Sequence, residues 1–213
     1  DVRGIVEPVI KNSEAASLIY IDLSSMEQAL GGSALGQVMN RIGTKAPTVT
    51  DAAYFAKTFE TIQELIRNKM IVAGHDISAG GMITTLLEMC FANREGGLAI
   101  NLSEMDDPDT IKILFSQNPG IIFQVEDEDK VEEILLENDI KYYTLGHPVE
   151  ERKLFITNGD INHTLDINAL RDTWFRPSYL LDRRQSGEEL ALERFGSYKN
   201  NALKIDIKDF KGT

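Results

Sequence analysis

The sequence is poor in the residue types that mark several large function classes. It holds one cysteine, three histidines and one tryptophan in 213 residues. A single Cys excludes an internal disulfide and points to a reducing compartment. No Cys or His pair stands at zinc-ligand spacing, and His147 and His163 read as surface or turn residues. Positive charge is short: 22 Lys and Arg face 34 Asp and Glu, a formal net charge of −12. That balance argues against nucleic acid or an anionic membrane as a general partner, while local amides and a metal ion can still hold a nucleotide. No apolar run is long enough to span a bilayer and no secretory signal pattern is visible, so a cytoplasmic location is expected. Internal repeats and low-complexity tracts are lacking. So is an initiator Met: the chain opens on Asp1-Val-Arg and reads as a piece of something longer.

What is there has the composition of an ordinary globular protein, 42% hydrophobic and 26% charged, enough for one large core or two small ones. The informative stretch runs from Met70 to Ala92. A short apolar run over 70–73 suits a buried strand. His75-Asp-Ile-Ser78 makes a polar turn, and Ala79-Gly80-Gly81 follows. Met82, Ile83, Leu86, Leu87, Met89, Cys90 and Phe91 then recur at helical spacing. The pattern predicts a strand, a tight turn and a helix, with Ser78 as the N-cap. Each glycine costs such a helix roughly 0.5–1 kcal/mol relative to alanine, so helix formation gives no reason for two of them. One reason is an anion. Bare backbone lets a phosphate reach the N–H groups at the helix start, where the dipole favours negative charge. Asp76, just ahead, would then hold a divalent cation that neutralises the same anion. The plainer reason is close packing of helix on sheet. Cys90 lies on the apolar face and reads as a buried small side chain, not a nucleophile. His75 reads as hydrogen-bonding within its turn.

Elsewhere, strands are expected over 17–23, 98–102, 120–125, 140–145, 153–157 and 161–165. Helices are expected over 34–42 with Ser33 as N-cap and Gly43 as stop, over 51–68, over 110–115 and over 130–137. The acidic run Glu126-Asp-Glu-Asp129 reads as the solvated first turn of that last helix, not as a metal site. Gly146-His147-Pro148 and Asn158-Gly159-Asp160 read as turns, the Asn-Gly pair signalling a hairpin. Asp166 caps a final helix through Trp174 and Phe175, which Pro177 interrupts, and an irregular tail follows Gln185. Helices alternate with strands early and strands dominate late. The fold class is α+β, a mixed sheet layered with helices.

Four motifs stand in order: Leu30-Gly-Gly-Ser-Ala-Leu-Gly-Gln37, Gly43-x-Lys45-Ala46-Pro47, His75-Asp76-x-Ser78-x-Gly80-Gly81 and Leu87-Glu88-Met89-x-Phe91-Ala92. Asn118-Pro-Gly-Ile-Ile-Phe-Gln-Val125 and the stretch from Trp174 to Ser178-Tyr179 extend the pattern. Together they resemble the second aminoimidazole-ribotide-synthetase-like C-terminal domain of the large, single-chain phosphoribosylformylglycinamidine synthases, over nearly the whole chain. Each motif is moderately specific; the ordered set is strong.

The resemblance implies a ligase of purine biosynthesis that converts formylglycinamide ribotide, ATP and glutamine-derived ammonia to formylglycinamidine ribotide. It implies ATP or ADP and Mg2+ as cofactors, with Asp76 as a metal ligand and Ser78 at the nucleotide, in a site that is auxiliary in the large-type enzymes; Gly80 and Gly81 join Ser78 there by the bare-backbone argument above. It also implies partner domains, the synthetase N-terminal-type domains and a glutaminase. Residues 1–185 would form the synthetase-like domain and 186–213 a tail or linker towards the glutaminase. Ala79 stands where an acidic residue is expected and Ile77 where some relatives are expected to carry a basic one, which removes charge beside the phosphate. No Cys here has a nucleophile setting, and no catalytic residue is assigned to this chain. Phosphoryl transfer needs nucleotide, metal and acceptor positioned together, so the chain alone is expected to be inert. Two alternatives are a purely structural module and another superfamily member, such as aminoimidazole ribotide synthetase, selenophosphate synthetase or thiamine-phosphate kinase. The Leu30 motif and the Trp174 region argue against the last.

Overall fold

A computed structural model of the chain describes residues 4–11 and 15–199. Contacts divide it into two compact units, one ending at Leu170 and the other beginning at Arg171.

The first unit is a seven-stranded mixed sheet with helices on both faces. In chain order its elements are β1 (Ser17–Asp22), α1 (Ala34–Val38), α2 (Ala52–Arg67), β2 (Ile71–Asp76), α3 (Gly81–Phe91), β3 (Gly97–Asn101), α4 (Thr110–Phe115), β4 (Gly120–Val125), α5 (Glu128–Glu137), β5 (Tyr143–Val149), β6 (Lys153–Asn158) and β7 (Ile161–Asp166). The strand order is β2-β4-β1-β5-β3-β6-β7, and only the β3–β6 pair is parallel. This is the α+β mixed sheet that the pattern predicted.

β1 shows why its sequence is a continuous apolar run. Leu18 and Tyr20 face a core built on α3 and α4, while Ile19 and Ile21 face another built on α2 and α5. A strand covered on both faces has no solvent side to alternate with. The register places the carboxyl ends of β1 and β2 together, since Asp22 pairs with Gly120 and Asp76 with the adjacent Ile121. That shared edge is where the candidate site lies.

Several boundaries differ from the pattern. α1 stops at Val38, because Asn40 takes a left-handed φ of 52° and ends the helix before Gly43. Val38 is 84% exposed, so the helical spacing through Ile42 did not mark a buried face. Gly146-His147-Pro148 is not a turn but the middle of β5. Gly146, at φ 147°, sits where a Cβ would lie 2.0 Å from the carbonyl oxygen of Ala99, beside a register shift opposite Leu18 and Ile19. The acidic run does open α5, with Asp127 accepting from Lys130 N–H. The β6–β7 hairpin turns at Gly159-Asp160, because Asn158 pairs with Ile161.

In the second unit, α6 (Ile167–Ser186, begun in the first unit) runs straight through Pro177. Pro177 is exposed, so water can take the carbonyl that the missing N–H frees. The stretch after Gln185 is not irregular either. It forms α7 (Glu188–Gly196), held to α6 by Arg194, which donates to both carboxylate oxygens of Asp182 at 2.8 Å, and by the Tyr179 and Phe195 rings, tilted at 42° with centroids 5.0 Å apart. A short 3-10 turn, Ser197–Lys199, follows, and residues 200–213 of the expected tail lie outside the described residues.

Candidate functional site

β2 ends on Asp76, and its carboxylate reaches out of the sheet, 76% exposed and 3.4 Å from Nδ1 of His75. The backbone carbonyl of Asp76 accepts from Oγ1 of Thr85 on α3 and lies 2.8 Å from His75 Nδ1. Nε2 of His75 lies 3.4 Å from the Glu88 carboxylate. His75 is thus hydrogen-bonded into its own turn, as its position at a strand end suggested.

The helix start corrects the expected cap. Ser78 is exposed and does not cap α3; the N-cap is Gly80, at φ 95° and ψ −8°, with no side-chain cap. Ser78 instead opens a tight turn in which its carbonyl accepts from Gly81 N–H at 3.0 Å. The angles of Gly80 are those of the third residue of a type II turn, where glycine is needed. Gly81 has φ 76° and is packed on the end of α4, where a Cβ would meet the carbonyl oxygens of Ser116 at 2.6 Å and Leu114 at 2.7 Å. Both glycines therefore have a conformational and packing reason.

Their amides are also engaged. Gln117, whose amide is assigned so that its oxygen faces donors, accepts from Gly80 N–H at 2.8 Å. The same oxygen accepts from Ala34 N–H at 2.8 Å. Asp76 and Ser78 remain the exposed polar groups of the turn, and Gly80 and Gly81 shape it. Among the described residues, no three His, Cys, Asp or Glu side chains gather into a metal site. One exposed carboxylate fits a magnesium ion that keeps waters and leans on substrate phosphates.

Two residues escaped the sequence reading. Asp22 ends β1 as Asp76 ends β2, and that parallel was its only signal. Its carboxylate is internally satisfied, taking Ser24 N–H at 2.6 Å, Gln28 Nε2 at 3.2 Å and the Tyr20 hydroxyl at 3.3 Å. Burial, first, and then the neighbouring Asp22 charge push the Tyr20 phenol well above its usual range. Gln117 lay in a segment read only as the approach to a strand. A cleft of about 780 Å³, with Asp22, Asp106, Lys141 and Tyr143 among its walls, does not include Asp76 or Ser78. There the hydrogen bond from Lys141 holds the Asp106 carboxyl below its ordinary value, and the same contact raises the lysine. Cys90 is buried on α3, and desolvation pushes its thiol up to about 12, which removes it from nucleophilic chemistry.

Comparison with known proteins now decides the family. The model of the AIR synthase related protein C-terminal domain matches residues 17–158. The chain belongs to that family. This AIR-synthase-related domain is 34% identical over 200 residues to phosphoribosylformylglycinamidine synthase of Saccharomyces cerevisiae, covering 88% of the chain and 15% of that protein. It is 29% identical over 193 residues to the Homo sapiens protein of the same name, covering 87% and 14%. The domain thus spans about one seventh of the length of these relatives. PurLQS from Thermotoga maritima shares the fold, with a TM-score of 0.61 at 14% identity, covering 79% of the chain and 28% of that structure. T. maritima PurL complexed with ATP does so at 0.61 and 13%, covering 79% and 27%.

The motifs that begin at Leu30, Gly43 and Asn118 lie against one another. Gly31 N–H donates to Lys45 carbonyl at 2.9 Å, and Gly32 N–H to Ile42 carbonyl at 2.8 Å, so the second motif folds back on the first. Asn118 accepts from Ala29 N–H at 3.2 Å, which joins the Asn118-Pro-Gly segment to the first motif.

Proposed function

We propose that this domain is part of a purine-biosynthetic ligase that converts formylglycinamide ribotide, ATP and glutamine to formylglycinamidine ribotide. It contributes one wall of a magnesium–nucleotide site and is inert alone. The observation that carries the reading is an exposed carboxylate, Asp76, closing a strand beside exposed Ser78 in a tight turn whose shape Gly80 and Gly81 set. The names of the curated relatives, and the ATP and FGAR named with the solved T. maritima PurL structures, support this reading.

In this reading Asp76 is the protein ligand of Mg2+, which neutralises polyphosphate charge when bound. Ser78 donates its hydroxyl to the nucleotide. Gly80 and Gly81 act by giving the turn its shape, since their own N–H groups already have partners within the domain. The other components, synthetase N-terminal-type domains and a glutaminase, lie on the same longer polypeptide, with residues from 186 leading towards the glutaminase. The enzyme works in the cytoplasm.

A second reading, a structural module without nucleotide, is favoured by the engaged amides of Gly80 and Gly81. Titrating the full-length polypeptide with Mg-ADP separates the two. Asp76→Ala weakens nucleotide retention under the first reading; unchanged retention establishes the second. Steady-state assays of the 213-residue chain should show no ATP-dependent amidation, and turnover would refute its inertness.

A further inference from the structure

Resting on the nucleotide reading above, we propose that Gln117 is a positioning residue that locks the Leu30-Gly-Gly-Ser33 loop to the Ser78-Ala-Gly-Gly81 turn, so that the second holds its nucleotide-competent shape only while the first is seated. One oxygen does this, accepting from Ala34 N–H and from Gly80 N–H at 2.8 Å each. A carbonyl oxygen has two acceptor positions, and both are filled by backbone donors from elements far apart in the chain.

The residues on either side extend the lock. The Ser116 hydroxyl donates to the side-chain oxygen of Gln28, and Asn118 Nδ2 donates to Ser24 Oγ at 3.0 Å and to the Glu27 carbonyl at 3.2 Å. Ser116 and Asn118 are almost fully buried, at 3% and 1% exposure. The loop over 24–34 is therefore held by three consecutive side chains between α4 and β4. The backbone of that segment is also what Gly81 packs on, so the turn touches it through both a hydrogen bond and a close contact. A shift of the loop has a direct route to the turn through one atom.

The test uses the full-length gene product that carries this domain, with Mg-ADP as ligand and hydrogen exchange of residues 30–36 and 78–84 as a second readout. Gln117→Met keeps the volume and removes the acceptor. It should weaken Mg-ADP about tenfold, the effect of one to two lost hydrogen bonds, and raise exchange in both segments together. Gln117→Glu offers an acceptor to the same donors and should stay within about twofold of wild type. Gln117→Asn, too short to bridge, replaces the methionine variant should that one not fold. If Asp76→Asn weakens Mg-ADP but Gln117→Met does not, the lock is overturned and the nucleotide reading stands. If Asp76→Asn is silent, the nucleotide reading falls and the lock falls with it. Exchange that rises in one segment alone also overturns the lock.

Discussion

The two glycine pairs of this domain follow the same turn and solve its exit differently. In each, four residues close a turn through a backbone hydrogen bond, from Ser33 N–H to Leu30 carbonyl at 3.1 Å and from Gly81 N–H to Ser78 carbonyl at 3.0 Å. In each, the third residue is a glycine at positive φ, Gly32 at 75° and Gly80 at 95°. The fourth residue is where they part. Ser33 is buried and caps α1 with its own hydroxyl, which accepts from Gly36 N–H at 3.1 Å. Its counterpart Gly81 has no side chain to cap with and goes straight into α3, packed on the backbone of α4. One helix start is finished by a hydroxyl and the other by tertiary packing. The first introduces a five-residue helix and the second an 11-residue helix with a largely buried face. A local cap is enough where little is buried, whereas a close approach is needed where a long helix must lie flat on the sheet.

Substitutions turn that contrast into numbers. Gly81→Ala should be the most damaging, because it combines a left-handed φ with a Cβ 2.6 Å from a carbonyl oxygen. Strain and overpacking together amount to about 3 kcal/mol or more, measured by chemical denaturation. Cys90 supplies a second probe of the same change. It is 1% exposed on α3, so its thiol should resist modification in the wild type and become reactive as Gly81→Ala loosens the helix. Gly32→Ala faces a similar φ but open space around the new methyl, so strain alone applies, about 1–2 kcal/mol. If the two substitutions cost the same, close packing is not what Gly81 provides.

Ser33→Ala removes a real cap and should cost about 1 kcal/mol. Ser78→Ala removes an exposed hydroxyl that caps nothing, and stability should stay within ~0.5 kcal/mol of wild type. A large loss of stability at Ser78 would mean that the turn depends on that hydroxyl for its fold.

Legibility varied with how local the cause was. α2, α4, α5 and β4 were readable because their caps and periodicity sit within a few residues: Asp51, Asp109 and Asp127 each accept from the first turn of the helix they precede. Gly146 and Pro148 misled, since the space that makes Gly146 necessary is created by Ala99 on a neighbouring strand. Ser78 misled in the same way. It has the right residue type before a helix, but the turn beginning at its carbonyl moves the cap two residues on. In the candidate site, Asp76 and Ser78 could be named because they end a strand and open a turn. Gln117 could not, since nothing near it in the chain shows that its oxygen meets Ala34 and Gly80.

The residues alone determined the α+β class, the doubly covered apolar strands, the lack of disulfides and the family, all of which follow from composition, periodicity and motif order. Only the folded chain decided which amides at the glycine turns have partners, which serine caps a helix, and that Asp22 is satisfied internally while Asp76 reaches outward. The physical reason is one of range. Periodicity and capping act within a turn or two of backbone, whereas hydrogen-bond satisfaction and close packing are settled by groups that the sheet brings together from distant parts of the sequence.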